Sequence, residues 1–133
     1  MQAEEIVKEW FSRVSKGDGR GALELFDDDI EYTVQGSCTV SGVYRGKSSV
    51  LKDLFIPFGK QIDGTIVLEP KQIITQENVV AVRAAGRARS ATGYEYNNSY
   101  CIIFEVRDGL ITHLNEFLDT VMVETVAYGK TLS

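Results

Sequence analysis

Side chains that commonly carry out acid–base, nucleophilic or metal chemistry are few in this sequence. His113 is the single histidine, and Cys38 and Cys101 are the two cysteines. The cysteines form no C-x-x-C pair and have no His or Cys at ligand spacing, so we expect two buried thiols and no zinc or redox site. The three aspartates at 27–29 are contiguous, and contiguous acids converge poorly on one ion. We therefore predict neither a metal nor a cofactor.

Length and composition exclude several classes of protein. The chain has 133 residues, of which 44% are hydrophobic and 25% are charged, and we predict one globular domain over residues 1–133. The formal net charge of −5 has the wrong sign for binding a phosphate backbone, so nucleic acid is not an expected partner. No stretch approaches the roughly 18 apolar residues that a membrane span needs. Since the N-terminus is acidic where a signal peptide would be basic, we expect no membrane partner and a cytoplasmic location.

Apolar residues at helical spacing predict three helices in the first half of the chain. The first helix carries its apolar stripe at Ile6, Val7, Trp10, Phe11 and Val14. After a break at 16–19, a short second stripe runs from Ala22 to Phe26 and is expected to end at the aspartates. A third helix is predicted after Ser48 as N-cap, with an irregular last turn at Pro57.

The second half of the chain alternates with period two, which predicts strands. Asp108-Gly109 lies between two alternating runs and predicts a hairpin. Helices followed by strands predict an α+β fold, with the helices covering one face of a curved antiparallel or mixed sheet. The predicted strands are Ile30 to Val34, Thr65 to Glu69, Gln72 to Thr75, Val79 to Arg89, Asn97 to Arg107 and Leu110 to Val121.

Four segments in this order resemble one known group of proteins. They are Ser41 to Gly46 (SGVYRG), Gly93 to Tyr100 (GYEYNNSY), Phe104 to Ile111 (FEVRDGLI) and Glu116 to Thr120 (EFLDT). The chain resembles the SnoaL-like group of the nuclear transport factor two-like superfamily over nearly its whole length. The resemblance implies a cone-shaped α+β fold that encloses a pocket. Ketosteroid isomerase, limonene epoxide hydrolase, polyketide cyclases and non-catalytic binding modules share that fold, so the fold alone does not give the function.

Ketosteroid isomerase provides the first test of activity. Its mechanism uses an Asp base, together with a Tyr and a protonated Asp that donate to the enolate oxygen. An ungapped alignment of residues 9–29 with that family's first two helices puts Trp10 at the Tyr position. The same register puts Val34 at the base and Ile102 at the protonated Asp. Neither side chain can move a proton, so the sequence argues against ketosteroid isomerisation by this mechanism.

The same register predicts which residues of the last strand face the pocket. Glu116 faces inward between Leu114 and Leu118, whereas His113 and Asp119 face outward. An extra residue between Thr112 and Glu116 would exchange the two faces. Glu116 is the predicted catalytic residue, because apolar surroundings raise the pKa of a carboxyl and suit it to proton transfer; Asp119 is the second choice. The predicted ligand contacts are Trp10, Tyr32, Val34, Asn98, Tyr100, Ile102, Leu114 and Leu118.

These residues predict a protein that binds a small hydrophobic or aromatic molecule. Glu116 would move a proton in a cyclase, isomerase or hydratase reaction, and a SnoaL-type aldol closure needs only one carboxylate. Limonene epoxide hydrolase uses an Asp-Arg-Asp set, and Ala84 and Gly86 stand where its Arg and second Asp belong. Epoxide hydrolysis would then need Tyr100, Tyr32 or Trp10 as proton donor. The alternative function is a non-catalytic module for ligand binding or protein interaction.

The outward face of the predicted sheet is more apolar than a solvated surface. It carries Cys101, Ile103 and Phe117. The resemblance implies a homodimer packed sheet against sheet, with two-fold symmetry. Arg83 and Arg87 share this face with Glu105, and cross-strand ion pairs are expected there.

Overall fold

The first helix forms where its apolar stripe predicts it, whereas the second helix includes only the first part of the second stripe. In the computed structural model, which describes residues 2–132, α1 spans Ala3–Ser15 and α2 spans Gly19–Glu24. The Asp18 side chain accepts a hydrogen bond from the Gly21 N–H at 2.8 Å and so caps α2. No helix among the described residues is both long enough and apolar enough to cross a membrane. The buried face of α1 consists of Ile6, Val7, Trp10 and Phe11.

Strand β1 begins earlier than its sequence suggests. It spans Phe26–Val34, so the predictions that the helical stripe extends to Phe26 and that the strand begins at Ile30 were wrong. Phe26 is paired in parallel with Ile111, and the Ile111 N–H donates to the Leu25 carbonyl at 2.8 Å. These partners lie about 85 residues away in the chain, and such long-range pairing overrides local helix propensity.

The third helical segment is broken into three parts. An α-helical turn, α3 (Lys47–Ser49), leads into a π-helical stretch, Val50–Phe55, and then into α4 (Ile56–Gly59). Gly46, with φ of 88°, precedes the first turn, so Ser48 is not the cap that the sequence predicted. Pro57 lies in the first turn of α4, where a missing N–H is tolerated.

Six strands form one sheet, and the predicted curved mixed sheet is confirmed, although β2 (Gly42–Arg45) was not among the predicted strands. Their order is β2-β1-β6-β5-β4-β3, and only the β1–β6 pair is parallel within the described residues. The two strands predicted between 65 and 75 are a single strand with an irregularity at Pro70, which has no N–H for the ladder. The other strands are β2 (Gly42–Arg45), β3 (Ile62–Gln76), β4 (Val79–Ser90), β5 (Ser99–Arg107) and β6 (Leu110–Leu118).

The last strand ends three residues before its predicted end. Asp119 caps a short helix, α5 (Thr120–Met122), and its Oδ1 accepts from the Met122 N–H at 3.1 Å. A π-helical stretch, Val123–Ala127, follows. The strand therefore stops where a capping side chain starts the C-terminal helical turn.

An extra residue in β6 lies upstream of the part that carries Glu116. Glu105 pairs with His113 and Val106 pairs with Ile111, so Thr112 is the inserted residue. From His113 to Leu118 the register with β5 is continuous. Glu116 therefore faces the same side as Leu114, toward the helices.

The core lies between α1 and the inner face of the sheet. Trp10 on α1 contacts three phenylalanines, with ring centroids 5.1 Å from Phe11, 6.3 Å from Phe26 and 5.3 Å from Phe104. This aromatic cluster fills the space at one side of the inner face. Beyond it, the helices and the sheet separate and leave a cavity.

Candidate functional site

The cavity has a volume of about 300 Å³ and lies between the helices and the inner face of the sheet. This is near the lower end of the range for small-molecule pockets, about 300–1,000 Å³. Its exposed rim is formed by Gly17, Gly19, Gly59, Gly64 and Thr65. Most of its wall is apolar and consists of Val14, Ala22, Val34, Val40, Leu54, Phe55, Phe58, Ile62, Ile66, Leu68 and Leu118.

Glu116 is the one carboxylate that the described chain places in the cavity wall. It pairs with Val34 on β1 and with Ile102 on β5, so it lies in the middle of the sheet. The Tyr32 hydroxyl donates to Glu116 Oε1 at 2.6 Å. None of the described residues donates a hydrogen bond to Glu116 Oε2, and the protein does not enclose this atom. Because Glu116 lies in the cavity wall, Oε2 borders the open cavity.

The surroundings of Glu116 favour its protonated form. Burial raises the pKa of the carboxyl above its usual value, and the hydrogen bond from Tyr32 offsets this only in part. The pKa of Tyr32 is raised well above its usual value, first by burial and then by the charge of Glu116. Tyr32 therefore stays protonated and donates a hydrogen bond to Glu116. Because its pKa is raised, Glu116 is a stronger base than an exposed glutamate.

A second polar group lies at the start of β5. Asn98 is 1% exposed, and its Oδ1 accepts from the backbone N–H groups of Ser99 at 2.7 Å and Asp119 at 3.0 Å. Its Nδ2 donates to the Asp119 carbonyl at 3.1 Å and to the Tyr96 hydroxyl at 2.9 Å. Asn98 therefore ties β5 to the end of β6 and is joined to the cavity wall by its hydrogen bond to Tyr96.

Six of the nine residues predicted for the site line the cavity. They are Trp10, Tyr32, Val34, Tyr100, Glu116 and Leu118. Asn98, Ile102 and Leu114 are not part of the lining. Asn98 is occupied by its four hydrogen bonds, while Ile102 and Leu114 face inward but are fully enclosed by core packing. A ligand could contact these three only if other side chains moved.

Sequence reasoning missed Tyr96 as a lining residue. Tyr96 is 1% exposed and lies in the cavity wall. The alternation that places Tyr100 inward also places positions 98 and 96 on the same side, so the signal was present in the motif. The predicted site nevertheless includes only Tyr32 and Tyr100 among the tyrosines.

Trp10 presents its ring to the cavity rather than a free N–H. Its Nε1 is the one enclosed side-chain nitrogen or oxygen without a hydrogen-bond partner in the described chain. The indole is 2% exposed and packed among phenylalanines. In this arrangement a ligand oxygen cannot reach the indole N–H.

The other titratable candidates lie outside the cavity. His113 is on the opposite face of the sheet, with Nε2 3.6 Å from Glu31 and Nδ1 3.5 Å from Glu105. Asp119, the second choice for proton transfer, caps α5. Among the described residues, no group of three or more His, Cys, Asp or Glu side chains could hold a metal ion.

Two expectations for the outward face of the sheet were wrong. Cys101 is exposed rather than buried, because the sheet has no layer over this face in the single chain; Cys38 is only half-buried. Glu105 pairs with Arg107 at 2.8 Å and with His113, and not with the arginines of β4. Arg107 lies two residues from Glu105 on the same side of β5, so its side chain is nearer to Glu105 than the arginines of β4 are.

Comparison with known proteins decides the family. The sequence pattern of the SnoaL-like domain matches residues 7–114. This chain belongs to the SnoaL-like domain family. The predicted family and the predicted α+β cone are therefore confirmed for this SnoaL-like protein.

Similar proteins extend over most of this SnoaL-like chain. An uncharacterised protein of Mycobacterium tuberculosis (strain H37Rv) is 25% identical over 113 residues, which is 85% of this chain and 86% of that protein. An NTF2-like protein of unknown function from Burkholderia pseudomallei has a TM-score of 0.84 at 16% identity, covering 94% of this chain and 96% of that one. TerC, crystallised with polyporic acid, has a TM-score of 0.83 at 20% identity, covering 95% and 98%. Structural likeness at such identities shows the fold.

Proposed function

We propose that this SnoaL-like protein binds a small, largely apolar molecule in the cavity and transfers a proton on it through Glu116. The observation that carries the proposal is the Glu116–Tyr32 pair in an apolar wall, with Oε1 held at 2.6 Å and Oε2 bordering the cavity. A cyclase, an isomerase or a hydratase would use such a group. The proposal gives a role to a carboxyl that lies where burial disfavours its charge.

The pair divides the work between two atoms. Glu116 Oε2 is the free oxygen and takes the proton from the bound molecule. Tyr32 holds Oε1 and fixes the rotamer of the carboxyl, so the base points into the cavity. Because burial raises the pKa of Glu116, the protonated carboxyl formed in this step is stabilised and can return the proton to another atom of the same molecule.

The shape of the cavity supports an aromatic or alicyclic ligand. A volume of about 300 Å³ with walls of Leu, Ile, Val and Phe can hold one or two fused rings. TerC, which shares the fold, was co-crystallised with polyporic acid, and this supports small-molecule binding by a protein of this fold. Ketosteroid isomerisation by the Tyr/Asp/Asp mechanism stays disfavoured, since Val34 and Ile102 carry no titratable group.

Proton exchange on 2-tetralone tests the proposal. This fused-ring ketone has acidic protons next to its carbonyl, and their replacement by deuterium in D₂O is followed by proton NMR. The protein should accelerate the exchange, and Glu116→Gln, which keeps the shape and removes the base, should return the rate to background. Glu105→Gln, on the opposite face of the sheet, is the matched control and should leave the rate unchanged.

Two results would overturn the proposal. Acceleration that survives in Glu116→Gln would show that another group moves the proton. Binding of 2-tetralone without acceleration would favour the non-catalytic ligand-binding module instead. In that case Glu116→Leu should keep the ligand affinity and raise the free energy of unfolding, because an apolar side chain replaces a buried acid.

We also propose that the outward face of the sheet packs against a second copy of the chain. One row of residues crosses all six strands in register on this face, from Val43 to Ile74. Four large apolar side chains on the face are exposed in the single chain: Val43 (46%), Ile74 (59%), Val79 (37%) and Phe117 (44%). Such a surface favours an isologous dimer.

Sedimentation velocity tests the dimer. The wild-type protein should sediment as a dimer, and Ile103→Glu, at the centre of the row, should sediment as a monomer with unchanged circular dichroism. Tyr94→Ser changes an exposed aromatic residue on a loop, outside the outward face of the sheet, and should leave the dimer intact. A wild-type monomer at high protein concentration contradicts this proposal.

A further inference from the structure

The aromatic cluster around Trp10 meets the cavity through one of its members. Trp10 lies in the cavity wall, whereas the three rings that surround it, Phe11, Phe26 and Phe104, are not part of that wall. All four residues are 2% exposed or less. The indole is therefore backed by a closely packed layer, which cannot move aside without a loss of packing.

Helix α1 extends from the inner end of the cavity to its rim. Trp10, Val14 and Gly17, which follows the helix, are about one helical turn apart and all line the cavity. Their exposure increases in this order, since Trp10 is 2% exposed, Val14 is half-buried and Gly17 is exposed. At a rise of about 1.5 Å per residue, Trp10 lies about 10 Å from the rim. Trp10 therefore closes the inner end of the cavity.

The Glu116–Tyr32 pair lies at the same end. The centroid of the Tyr32 ring is 6.1 Å from that of Phe26, and the Trp10 ring stacks on Phe26 at 6.3 Å with an interplanar angle of 27°. Trp10 and Tyr32 thus border the same end of the cavity, because both pack against one buried ring. A molecule that reaches Glu116 Oε2 must extend to this end, where the indole stops it.

The indole limits the cavity by its size and not through a hydrogen bond. Its Nε1 is enclosed and has no partner among the described residues, so the N–H attracts no ligand in this arrangement. A smaller side chain at this position should lengthen the cavity, because the surroundings relax only partly when a buried group is removed. An apolar space of this kind stays dry and accepts an apolar ring.

We propose that Trp10 determines the size of the ring system that the cavity buries, so that a two-ring ketone fits and a third fused ring finds no buried space. This limit rests on the proposed function, in which the cavity binds such a molecule, but it uses no property of the Glu116 carboxyl. The reacting ring lies against the indole. Any further part of the molecule lies at the rim, where four of the five residues are glycine and leave it in contact with water.

Calorimetric titration with 1-tetralone and with tetrahydrophenanthren-1-one tests the limit. The second compound is the first with one more fused benzene ring. In the wild type the additional ring should bring no gain in affinity. In Trp10→Leu it should raise the affinity by about tenfold or more, because the ring occupies the space of the indole and leaves water. Trp10→Phe, which keeps an aromatic ring in the cluster, should give a smaller gain.

Phe11→Leu is the matched control. It removes a ring of the same cluster that is equally buried, but Phe11 is not part of the cavity wall. Phe11→Leu should lower the free energy of unfolding and leave the ratio of the two affinities at its wild-type value. Circular dichroism shows whether each variant is folded, and Trp10→Phe provides the test if Trp10→Leu does not fold.

The fluorescence of the indole reports the contact directly. Trp10 is the single tryptophan of the chain, so all indole emission comes from the inner end of the cavity. Bound 1-tetralone should quench this emission, after correction for absorption by the ketone. The quenching should saturate over the same concentrations as the heat of binding.

The outcomes distinguish the size limit from the proposed function. A gain in affinity from the third ring that is as large in the wild type as in the folded Trp10 variants would overturn the limit. Binding of 1-tetralone that leaves the Trp10 emission unchanged would also overturn it, because the ligand then does not reach the indole. If the limit holds and proton exchange is undiminished in Glu116→Gln, the proposed base is wrong and the size limit stands. If neither ketone binds to the wild type or to the variants, both proposals are wrong.

Discussion

The hydrogen bond between Tyr32 and Glu116 makes a quantitative prediction about stability. Its length is 2.6 Å, the Tyr32 residue is 4% exposed, and the acceptor is a carboxyl group that ionises as the pH rises. Hydrogen bonds to charged groups contribute about 1.5–3 kcal/mol to stability, whereas neutral ones contribute about 0.5–1.5 kcal/mol. The coupling between the two side chains should therefore grow as Glu116 ionises.

A double-mutant cycle measures this coupling. The free energy of unfolding is determined by urea denaturation for the wild type, Tyr32→Phe, Glu116→Leu and the double variant, at pH 4 and at pH 8. We expect a coupling of about 2 kcal/mol at pH 8 and about 1 kcal/mol at pH 4. Carboxyl-carbon NMR should also show that Tyr32→Phe raises the pKa of Glu116 further, because the hydrogen bond that lowers it is lost.

Two findings would refute the reasoning. A coupling that is equal at both pH values would show that Glu116 stays neutral or that the bond is not charge-assisted. A lower pKa of Glu116 in Tyr32→Phe would show that Tyr32 stabilises the protonated form instead. Glu105→Gln again serves as the control, since its carboxyl is outside the cavity and should show no coupling to Tyr32.

Three further predictions concern the same cavity and its core. Because the pKa of Glu116 is higher in the folded state than its unfolded value near 4.5, the folded state keeps this proton longer. As the pH rises from the unfolded-state pKa through the folded-state pKa, the free energy of unfolding of the wild type should therefore fall relative to that of Glu116→Gln. If the difference in free energy between the two proteins does not change with pH, the burial of the carboxyl is contradicted. Gly86→Ala would bring a Cβ within 2.8 Å of Tyr100 Cε1 and should lower the free energy of unfolding, measured by urea titration, by about 1–3 kcal/mol. Gly59→Ala is the control, because no atom lies within 4 Å of the added Cβ, and it should leave the free energy of unfolding nearly unchanged. Phe104→Ala removes a fully buried ring of the aromatic cluster and should lower the free energy of unfolding by about 3–5 kcal/mol, so a loss below 1 kcal/mol would refute the packing.

Local patterns were enough to predict much of the fold. The stripe of α1 has a period of 3.6 residues and occurs as predicted, since only one face of a short helix can pack on a sheet. The Asp108-Gly109 turn also occurs, with φ of 52° and 81° at its two residues. Both features depend on neighbours within a few residues, and this is the range over which a sequence pattern is informative.

Alternation along β6 predicted the side of the sheet on which Glu116 lies. It could not show whether an inserted residue would exchange the two faces, because an insertion depends on the pairing with β5 and not on β6 itself. The structure puts the insertion at Thr112, before His113. Glu116 consequently faces the cavity, and His113 lies between two glutamates on the opposite face.

The sequence by itself determined the family, the α+β class and a single inward-facing acid, because these follow from periodicity and short motifs. Only the tertiary structure decided which groups act on that acid. Tyr32 and Glu116 are 84 residues apart in the chain, and the parallel pairing of β1 with β6 brings them to 2.6 Å. The hydrogen bond to the Tyr96 hydroxyl likewise comes from Asn98, whose amide is oriented by backbone groups at the ends of two strands. Such contacts join distant segments, so no local pattern encodes them.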